Sequence, residues 1–477
     1  MFIFIFCNPC FETDIIDNYS NYDIIIYYTV KICRNIFERF FGMRLYIDPG
    51  TGSMLFAILI GLIGAVGWAL KGLFVKLRFL LSGGKYTDEA GKKIPLVIFS
   101  DDKRYWSVFE PVCKELDERG FDTVYMTASP DDPALKTTFE HIHPEFIGEG
   151  NKAFARLNFL SATVLLSTTP GLDVYQWKRS KNVDYYVHMQ HAAGTTTGYH
   201  MFGLDYYDSV MLSGDFQERD ERKLEELRSL PKKELVKIGI PYMDKMAQRL
   251  ADNPEVKGKG KNKIILVAPT WGKSGIFSKF GGKILDVLLK TDYQIIVRPH
   301  PQSFTSEKDL IEGLMKKYPD SDRLSWNRDP DNFEVLKRSD LLISDYSGVV
   351  FDFSLVYDKP VIYADTKYDS SPYDQCWLDT PYWIMTALPR IGEKLTDDLL
   401  DDLPQMIEKC LTQEQYGEKR QEVRDEVWCN RGQGAPKAAD YLIEKYKQLT
   451  KKEEPEAPKE PTAKAPKKAA KMKKEEA

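Results

Sequence analysis

Cysteine and histidine are scarce in this chain of 477 residues, which contains seven cysteines and six histidines. The cysteines are spread from Cys7 to Cys429, and no set of them has the spacing of a zinc site. This distribution excludes a disulfide framework and favours a reducing compartment. Charge of one sign is also lacking, because 71 acidic and 66 basic residues leave a formal net charge of −5. Such a chain lacks the basic surface of a nucleic-acid binder, so no nucleic-acid partner is expected.

Two glycine signatures of nucleotide enzymes are missing as well. The loop in "LVAPTWGKSG", residues 266–275, does not have the G-x-x-x-x-G-K-[ST] spacing of a P-loop. No G-x-G-x-x-G follows a predicted strand, so both ATP hydrolysis and hydride transfer are disfavoured and no cofactor is expected. His188 and His191 have a spacing that zinc accepts, but no third ligand follows them. We therefore predict no metal site.

One uncharged apolar run approaches the length that a bilayer requires. Residues 53–70 read "SMLFAILIGLIGAVGWAL" and continue into "KGLFVKLRFLL". A spanning helix needs about 20 apolar residues, so residues 53–81 are predicted to form a membrane anchor, with a buried or interfacial helix as the alternative. Lys71, Lys76, Arg78 and Lys85 then predict that the following domains face the cytoplasm. Residues 1–42 are predicted to be a poorly defined N-terminal extension, and residues 450–477 a disordered Lys/Glu/Ala/Pro tail.

The rest of the chain alternates short apolar runs with amphipathic segments. "IPLVIFS" predicts a strand and "SVFEPVCKELDERG" a helix that ends at Gly120. The same alternation restarts after the polar stretch "ADNPEVKGKGKNK", residues 251–263. Strands that alternate with helices predict the α/β class with parallel sheets. We expect two facing Rossmann-like domains, an N-terminal domain over residues 92–255 and a C-terminal domain over residues 262–447.

The stretch "IIVRPHPQS", residues 295–303, places a histidine between two prolines at the end of a predicted strand. Arg298 and His300 follow the strand at its carboxyl end, where open α/β sheets bind ligands. Pro299 and Pro301 fix their own backbone angle φ and restrict the residues before them. His300 is therefore predicted to be held in place. The alternative is a rigid turn with a solvated imidazole.

A second strand end carries a candidate phosphate site in "LLISDYSGVVFDF", residues 341–353. Ser347 stands where the N-cap of the next helix is expected, and free N–H groups at such an end attract phosphate. Gly348 allows a close approach of the backbone to a ligand. The alternative is an ordinary strand-to-helix turn with a serine cap.

Half of the histidines lie in "HMQHAAGTTTGYH", residues 188–200. His191 suits a general base, because a single imidazole in a loop of small residues can meet a hydroxyl nucleophile. His188 and His200 are predicted to be structural. In the loop of residues 266–275, Thr270 is a candidate phosphate contact.

Taken together, "APTWGK", "RPHP" and "SDYSGVVFDFSLVYDKPVIYAD", preceded by a His-Ala-Ala-Gly loop, resemble the CDP-glycerol glycerophosphotransferase family of teichoic-acid polymerases and primases. The resemblance covers about residues 185–430. It implies a GT-B-type fold with the catalytic domains on the cytoplasmic face of the bacterial cell membrane. It also implies transfer of glycerol phosphate, or a similar polyol phosphate, from CDP-glycerol or a related CDP-polyol to a lipid-linked or polymeric hydroxyl acceptor, with release of CMP.

The resemblance also assigns roles to residues. It implies that His191 is the base, although the Trp-His-Gly motif of the family reads Gln190-His191-Ala192 here. It implies that His300 contacts the diphosphate and that Asp352 orients a hydroxyl of the donor. The remaining substrate-binding residues it implies are Arg298, Thr270, Asp345, Ser347 and Gly348. Two other functions stay open: a GT-B nucleotide-sugar glycosyltransferase or epimerase, and a noncatalytic membrane-tethered scaffold for envelope assembly.

Overall fold

The computed structural model describes residues 93–175, 177–254, 262–413 and 415–451. All of them belong to the unit that runs from Lys85 to Ala477. The extension predicted over residues 1–42 and the membrane anchor predicted over residues 53–81 lie outside the described residues, as does the predicted tail from residue 452 onward. Within the described ranges, no helix combines the length and the apolar character that a bilayer crossing requires.

The first half of the described chain is built on a sheet of seven parallel strands in the order β3-β2-β1-β4-β5-β6-β7. Val97 of β1 lies opposite Val124 of β2 and Leu165 of β4. The central strands of this sheet are apolar on both faces. Parallel strands of this kind must be covered by helices on both sides. The strands are β1 Ile94–Ser100, β2 Thr123–Thr127, β3 Ile142–Phe146, β4 Ser161–Ser167, β5 Asn182–Met189, β6 Ser209–Leu212 and β7 Glu234–Lys237.

Three helices connect these strands and a fourth follows β7, and their ends follow local sequence signals. The third helix ends at Ser229, whose left-handed backbone (φ 53°) stops the helix. The fourth begins with Pro241 at its first turn, where a missing N–H costs nothing. The helices are α1 Trp106–Glu118, α2 Asn151–Leu157, α3 Asp215–Arg228 and α4 Pro241–Asp252.

The second half has a sheet of six parallel strands in the order β10-β9-β8-β11-β12-β13. Leu342 of β11 lies between Leu266 of β8 and Val361 of β12, in the middle of a buried layer. The strands are β8 Ile264–Val267, β9 Gln294–Val297, β10 Leu324–Trp326, β11 Leu341–Ser344, β12 Val361–Ala364 and β13 Gly392–Leu395. The helices are α5 Ile276–Phe280, α6 Lys283–Leu288, α7 Ser303–Ser306, α8 Lys308–Lys317, α9 Phe333–Arg338, α10 Val349–Phe351, α11 Trp383–Ile391, α12 Leu403–Thr412 and α13 Gly417–Val427.

The last described helix, α14 Gly434–Lys451, returns to the first half. Ala435, Ala438 and Leu442 lie in the same buried cluster as Val108 and Phe109 of α1. The packing therefore differs from the predicted division, which assigned residues up to 447 to the second domain. The chain crosses back because the apolar face of α14 completes the cover of the first sheet.

The two halves are also joined by the segment between β12 and α11, here called the bridging segment (residues 365–382). Asp374 in this segment accepts the N–H groups of Phe202 (2.8 Å) and Gly203 (3.2 Å) from the first half. It also pairs with Arg228, whose other nitrogen lies 2.7 Å from Asp205. All three charged side chains are at most 8% exposed. A buried ionic cluster thus holds the second half against the loop that follows β5.

We expect Asp374→Ala to lower the free energy of unfolding by about 3 kcal/mol, because Arg228 would stay buried with only one of its two anions. Denaturant unfolding of the full chain measures this change. Asp379→Ala is the matched control, since Asp379 is an exposed acid in the same segment. Equal midpoints for the two variants would contradict the assigned role of the cluster.

Candidate active site

The candidate site lies where the carboxyl ends of the two sheets meet. Each sheet reverses its strand order at one point, between β1 and β4 in the first and between β8 and β11 in the second. Open α/β sheets bind ligands outside the carboxyl ends of the strands at such points. The two edges are close, because a Cβ added to Gly348 after β11 would lie 3.3 Å from Cβ of Ala192 after β5.

His300 follows β9 and is fixed by its own turn. The N–H of Gln302 donates to Nδ1 of the imidazole at 3.1 Å, and the N–H of Ser303 donates to the His300 carbonyl at 2.8 Å. Since Nδ1 accepts a hydrogen bond, the neutral ring carries its proton on Nε2, which then acts as a donor. Burial lowers the pKa of His300 to about 4, and the positive charges of Arg104, of Arg298 and of His191 in its protonated form act in the same direction. His300 is therefore a held, neutral hydrogen-bond donor at pH 7.

His191 follows β5 and approaches from the first half. Its Nδ1 lies 3.1 Å from Oγ1 of Thr168 at the end of β4, and its ring lies 5.0 Å from that of Tyr105. Burial lowers the pKa of His191 to about 4, with a smaller contribution from the Arg104 charge. The imidazole is consequently neutral at pH 7, the state in which it can accept a proton.

Asp345 holds two loops together through buried hydrogen bonds to their backbone. Its carboxylate is fully buried and accepts the N–H groups of Thr270 (2.9 Å) and Ile276 (3.0 Å). Burial raises the pKa of Asp345 to about 7, and these N–H groups oppose the rise. Asp345 was predicted to bind substrate. The structure instead places it as the tie between the β8 loop and the β11 turn, which leaves the half-buried Thr270 side chain at the edge of the site.

Ser347 and Gly348 lie at the start of a short helical segment, with both residues partly exposed. The N-cap position falls on Gly348, and no side chain caps the helix. This corrects the prediction of Ser347 as the N-cap. The segment is also irregular, because α10 has only three residues and passes into a π-helical turn over Asp352–Val356. The Ser347 hydroxyl is thus not used as a cap.

Asp352 is not brought together with the two histidines. Its side chain is 5% exposed, and within the described residues Oδ1 has no hydrogen-bond partner. Burial alone raises the pKa of Asp352 to about 8, and no charged side chain contributes. Together with burial, Asp352 in its ionised form raises the pKa of Tyr357, a residue of the buried cluster in the second half. The structure therefore gives no contact through which Asp352 reaches the histidine site.

The other two histidines of the loop contact aromatic side chains, His188 in the core and His200 at the surface. His188 is fully buried with Nε2 3.1 Å from the Tyr199 hydroxyl, and burial lowers its pKa to about 3. The ring of His200 stacks on Tyr373 of the bridging segment at 5.0 Å. Within the described ranges, no group of three or more His, Cys, Asp or Glu side chains is placed to hold a metal ion.

Positive charge comes from two arginines, one in each half of the chain. Arg298 follows β9, and its guanidinium donates to Oδ1 of Asn327. Arg104 follows β1 in the 3₁₀ turn Lys103–Tyr105 and was missed in the sequence. The strand-end argument that selected Arg298 would have selected Arg104 if it had also been applied to "IPLVIFSDDKRY". Two neutral imidazoles with two arginines form a site for an anionic ligand, with a proton acceptor on one side and a donor on the other.

A cavity of about 660 Å³ lies elsewhere and includes neither histidine. Phe216, Trp383 and Arg390 are among the residues that line it. We base the candidate site on the strand ends and the paired imidazoles, since these provide chemistry that the cavity does not.

Comparisons with known proteins found relatives in both sequence and structure. Over 150 residues the chain is 31% identical to the teichoic acid glycerol-phosphate primase of Bacillus spizizenii, which covers 29% of this chain and 36% of that protein. The primase of Bacillus subtilis is 31% identical over 149 residues, covering 30% of this chain and 35% of the relative. The chain thus matches about a third of the length of these relatives. A solved structure of the wall teichoic acid polymerase TagF has a TM-score of 0.52 at 18% identity, covering 82% of this chain and 99% of that chain.

Two parallel sheets that face each other across a ligand edge, together with the TagF likeness, define the α/β glycosyltransferase fold of the GT-B type. The model of the CDP-glycerol:poly(glycerophosphate) glycerophosphotransferase family matches residues 205–441. The chain belongs to this family.

Proposed function

We propose that this protein transfers glycerol phosphate, or a similar polyol phosphate, from CDP-glycerol or a related CDP-polyol to a hydroxyl acceptor in cell-envelope polymer synthesis. The observation that carries the proposal is the pair of neutral imidazoles, His191 and His300, which come from opposite halves. Family membership supports the choice of donor. A TagF variant soaked with CDPG has a TM-score of 0.50 to this chain at 18% identity, which supports the fold on which the proposal rests.

In the proposed reaction the acceptor oxygen attacks the phosphorus of the glycerol phosphate, and the bond from that phosphorus to the CMP oxygen breaks. The hydroxyl proton passes to Nε2 of His191. His300 donates its Nε2–H to the diphosphate, and Arg298 supplies positive charge beside it. Phosphoryl transfer needs positioning and charge stabilisation more than covalent help from the enzyme, and these residues provide both.

Activity is expected to fall at acid pH. Both imidazoles have a pKa lowered to about 4 in the free protein, so the neutral forms predominate from about pH 5 upward. Protonation below that range removes the proton acceptor, and kcat/KM should decline as the pH approaches about 4. The pH profile of kcat/KM measures this, because it reports the groups of the free enzyme. A decline centred near the ordinary histidine pKa would contradict the buried, neutral state.

The acceptor and the membrane form a second part of the proposal. We infer that the acceptor is lipid-linked or polymeric and that the protein works on the cytoplasmic face of the bacterial membrane, in contact with membrane lipids. The support is the uncharged run within residues 53–81 and the basic residues after it, which lie outside the described residues. Sedimentation of the full chain with anionic phospholipid vesicles, compared with a chain lacking residues 53–81, tests this part.

The function is tested by incubating the full chain with CDP-glycerol, CDP-ribitol or UDP-sugars, with and without a lipid-linked hydroxyl acceptor, and measuring CMP release. We expect CMP from a CDP-polyol only when the acceptor is present, together with thermal stabilisation by that donor. Turnover of a UDP-sugar would instead make the protein a nucleotide-sugar enzyme. Absence of any nucleotide response would favour the scaffold.

A further inference from the structure

Arg104 lies at the carboxyl edge of the first sheet, where open α/β sheets bind ligands. It follows β1, which borders the point where the strand order reverses. The turn is fixed by Asp102, whose Oδ1 accepts the N–H of Arg104 at 2.9 Å. Residue 104 also lies outside the part of the chain that the family model matches, residues 205–441. Its role must therefore be read from the structure.

The guanidinium of Arg104 is only partly used by the protein. Its Nε lies 3.4 Å from Oδ1 of Asp102, while neither Nη atom has a hydrogen bond to any residue that the structure describes. The group lies 5.4 Å from the centre of the Tyr105 ring, which in turn packs against His191 at 5.0 Å. Arg104 therefore presents free donors next to the proposed base.

The charge of Arg104 also reaches across the site. It lowers the pKa of His191 in its own half and of His300 in the other half. Among the described residues, no carboxylate contributes to the pKa of either imidazole. Asp102 beside Arg104, and Asp329 and Asp331 near Arg298, offset part of the arginine charge, but none of them contributes to the pKa of either imidazole. The imidazoles therefore experience two cations and no carboxylate, a setting that favours a ligand with negative charge. A phosphate group supplies such a charge, and the planar guanidinium fork matches its oxygens.

We propose that Arg104 binds the phosphoryl group that is transferred, from the side opposite to Arg298. This inference rests on the proposed function. While the acceptor oxygen bonds to phosphorus and the bond to CMP breaks, the electron pair of that bond leaves with CMP and the acceptor proton passes to His191. Arg104 stabilises the non-bridging oxygens throughout, and Arg298 stays beside the CMP side. The first half thus contributes both the base and a catalytic cation.

Kinetics of the full chain with CDP-glycerol and a lipid-linked acceptor test the proposal. Arg104→Ala should lower kcat by about 10²–10³-fold, as when one transition-state donor is removed. Affinity for CMP should be unchanged, because CMP lacks the transferred group. Arg104→Lys should recover part of the loss by restoring the charge without the fork. Lys103→Ala is the matched control, since Lys103 is an exposed cation in the same turn and pairs with Asp131.

A structural role for Arg104 makes a different prediction. If Arg104 served only to pair with Asp102, Asp102→Asn would reproduce the loss of kcat. That result, or a kcat of Arg104→Ala close to the wild-type value, would overturn the proposal. A loss of CMP affinity in Arg104→Ala as large as its loss of kcat would also overturn the proposal.

Binding of inorganic pyrophosphate separates this proposal from the proposed function, because it requires no turnover. Calorimetry should show wild-type binding that Arg104→Ala weakens about tenfold or more, as expected for a lost charged hydrogen bond. If the wild type releases no CMP from CDP-glycerol but binds pyrophosphate through Arg104, the donor assignment fails and the anion site stands. Equal binding by the two proteins, or no binding by either, overturns the Arg104 site.

Discussion

Replacing His191 with Asn should lower kcat by about 10²–10⁴-fold, the usual contribution of a general base, while the protein stays folded. The side chain is half-buried between Thr168 and Tyr105, and Asn retains a polar group that can reach Thr168. Donor affinity should change little, because the proposed role of His191 concerns the acceptor hydroxyl. Turnover with saturating donor and acceptor, together with thermal unfolding, measures the two effects separately.

The control for this prediction is His143→Asn, since His143 is an exposed histidine on β3 in the same half. Thr168→Val offers a second comparison, because it removes the hydroxyl that lies 3.1 Å from Nδ1 of His191. The proposed role as a base requires the tautomer in which Nδ1–H donates to this hydroxyl, so that Nε2 keeps the lone pair that accepts the proton. We expect Thr168→Val to show a smaller loss of kcat than His191→Asn. A kcat near the wild-type value in His191→Asn would exclude His191 as the base.

The strands that could be predicted from the sequence are short, apolar runs that end in turn residues, and their alternation with helices indicated the fold class. The run "IPLVIFS" coincides with β1, and the apolar residues that open "LLISDYSGVVFDF" coincide with the start of β11. The third strand, "IHPEF", was missed, because an edge strand with His143, Pro144 and Glu145 lacks the apolar pattern that identifies a buried strand. The return of α14 was missed for another reason. Amphipathic periodicity shows that a helix packs, but it does not show against which sheet.

The candidate site was predicted in part for related reasons. His191, His300 and Arg298 were found because each follows an apolar run in an unusual local sequence. Asp345 has the same kind of position, yet it faces the loops and not the cleft, since only the backbone path decides that the N–H groups of Thr270 and Ile276 point at it. Burial of Asp352 likewise depends on how the irregular turn packs. Periodicity alone could not distinguish a carboxylate that holds a loop from one that meets a ligand.

His300→Ala should lower kcat by about 10²–10³-fold and also weaken donor binding, because the imidazole is expected to contact the diphosphate before and during transfer. Two features make the side chain a prepared donor. The N–H of Gln302 occupies Nδ1 at 3.1 Å, so the proton of the neutral ring lies on Nε2. Pro299 and Pro301 restrict the backbone on both sides, so little motion is lost on binding.

The combined effect on kcat and donor affinity distinguishes His300 from His191, whose loss should affect turnover alone. Gln302→Ala provides the comparison for His300, since it keeps the backbone N–H that binds Nδ1 but removes a neighbouring side chain. Steady-state kinetics and calorimetry with CDP-glycerol measure the two quantities. If His300→Ala bound the donor as tightly as the wild type and turned it over at the same rate, the imidazole would be a solvated side chain in a rigid turn. A loss confined to donor affinity would mean that His300 binds the diphosphate equally well before and during transfer.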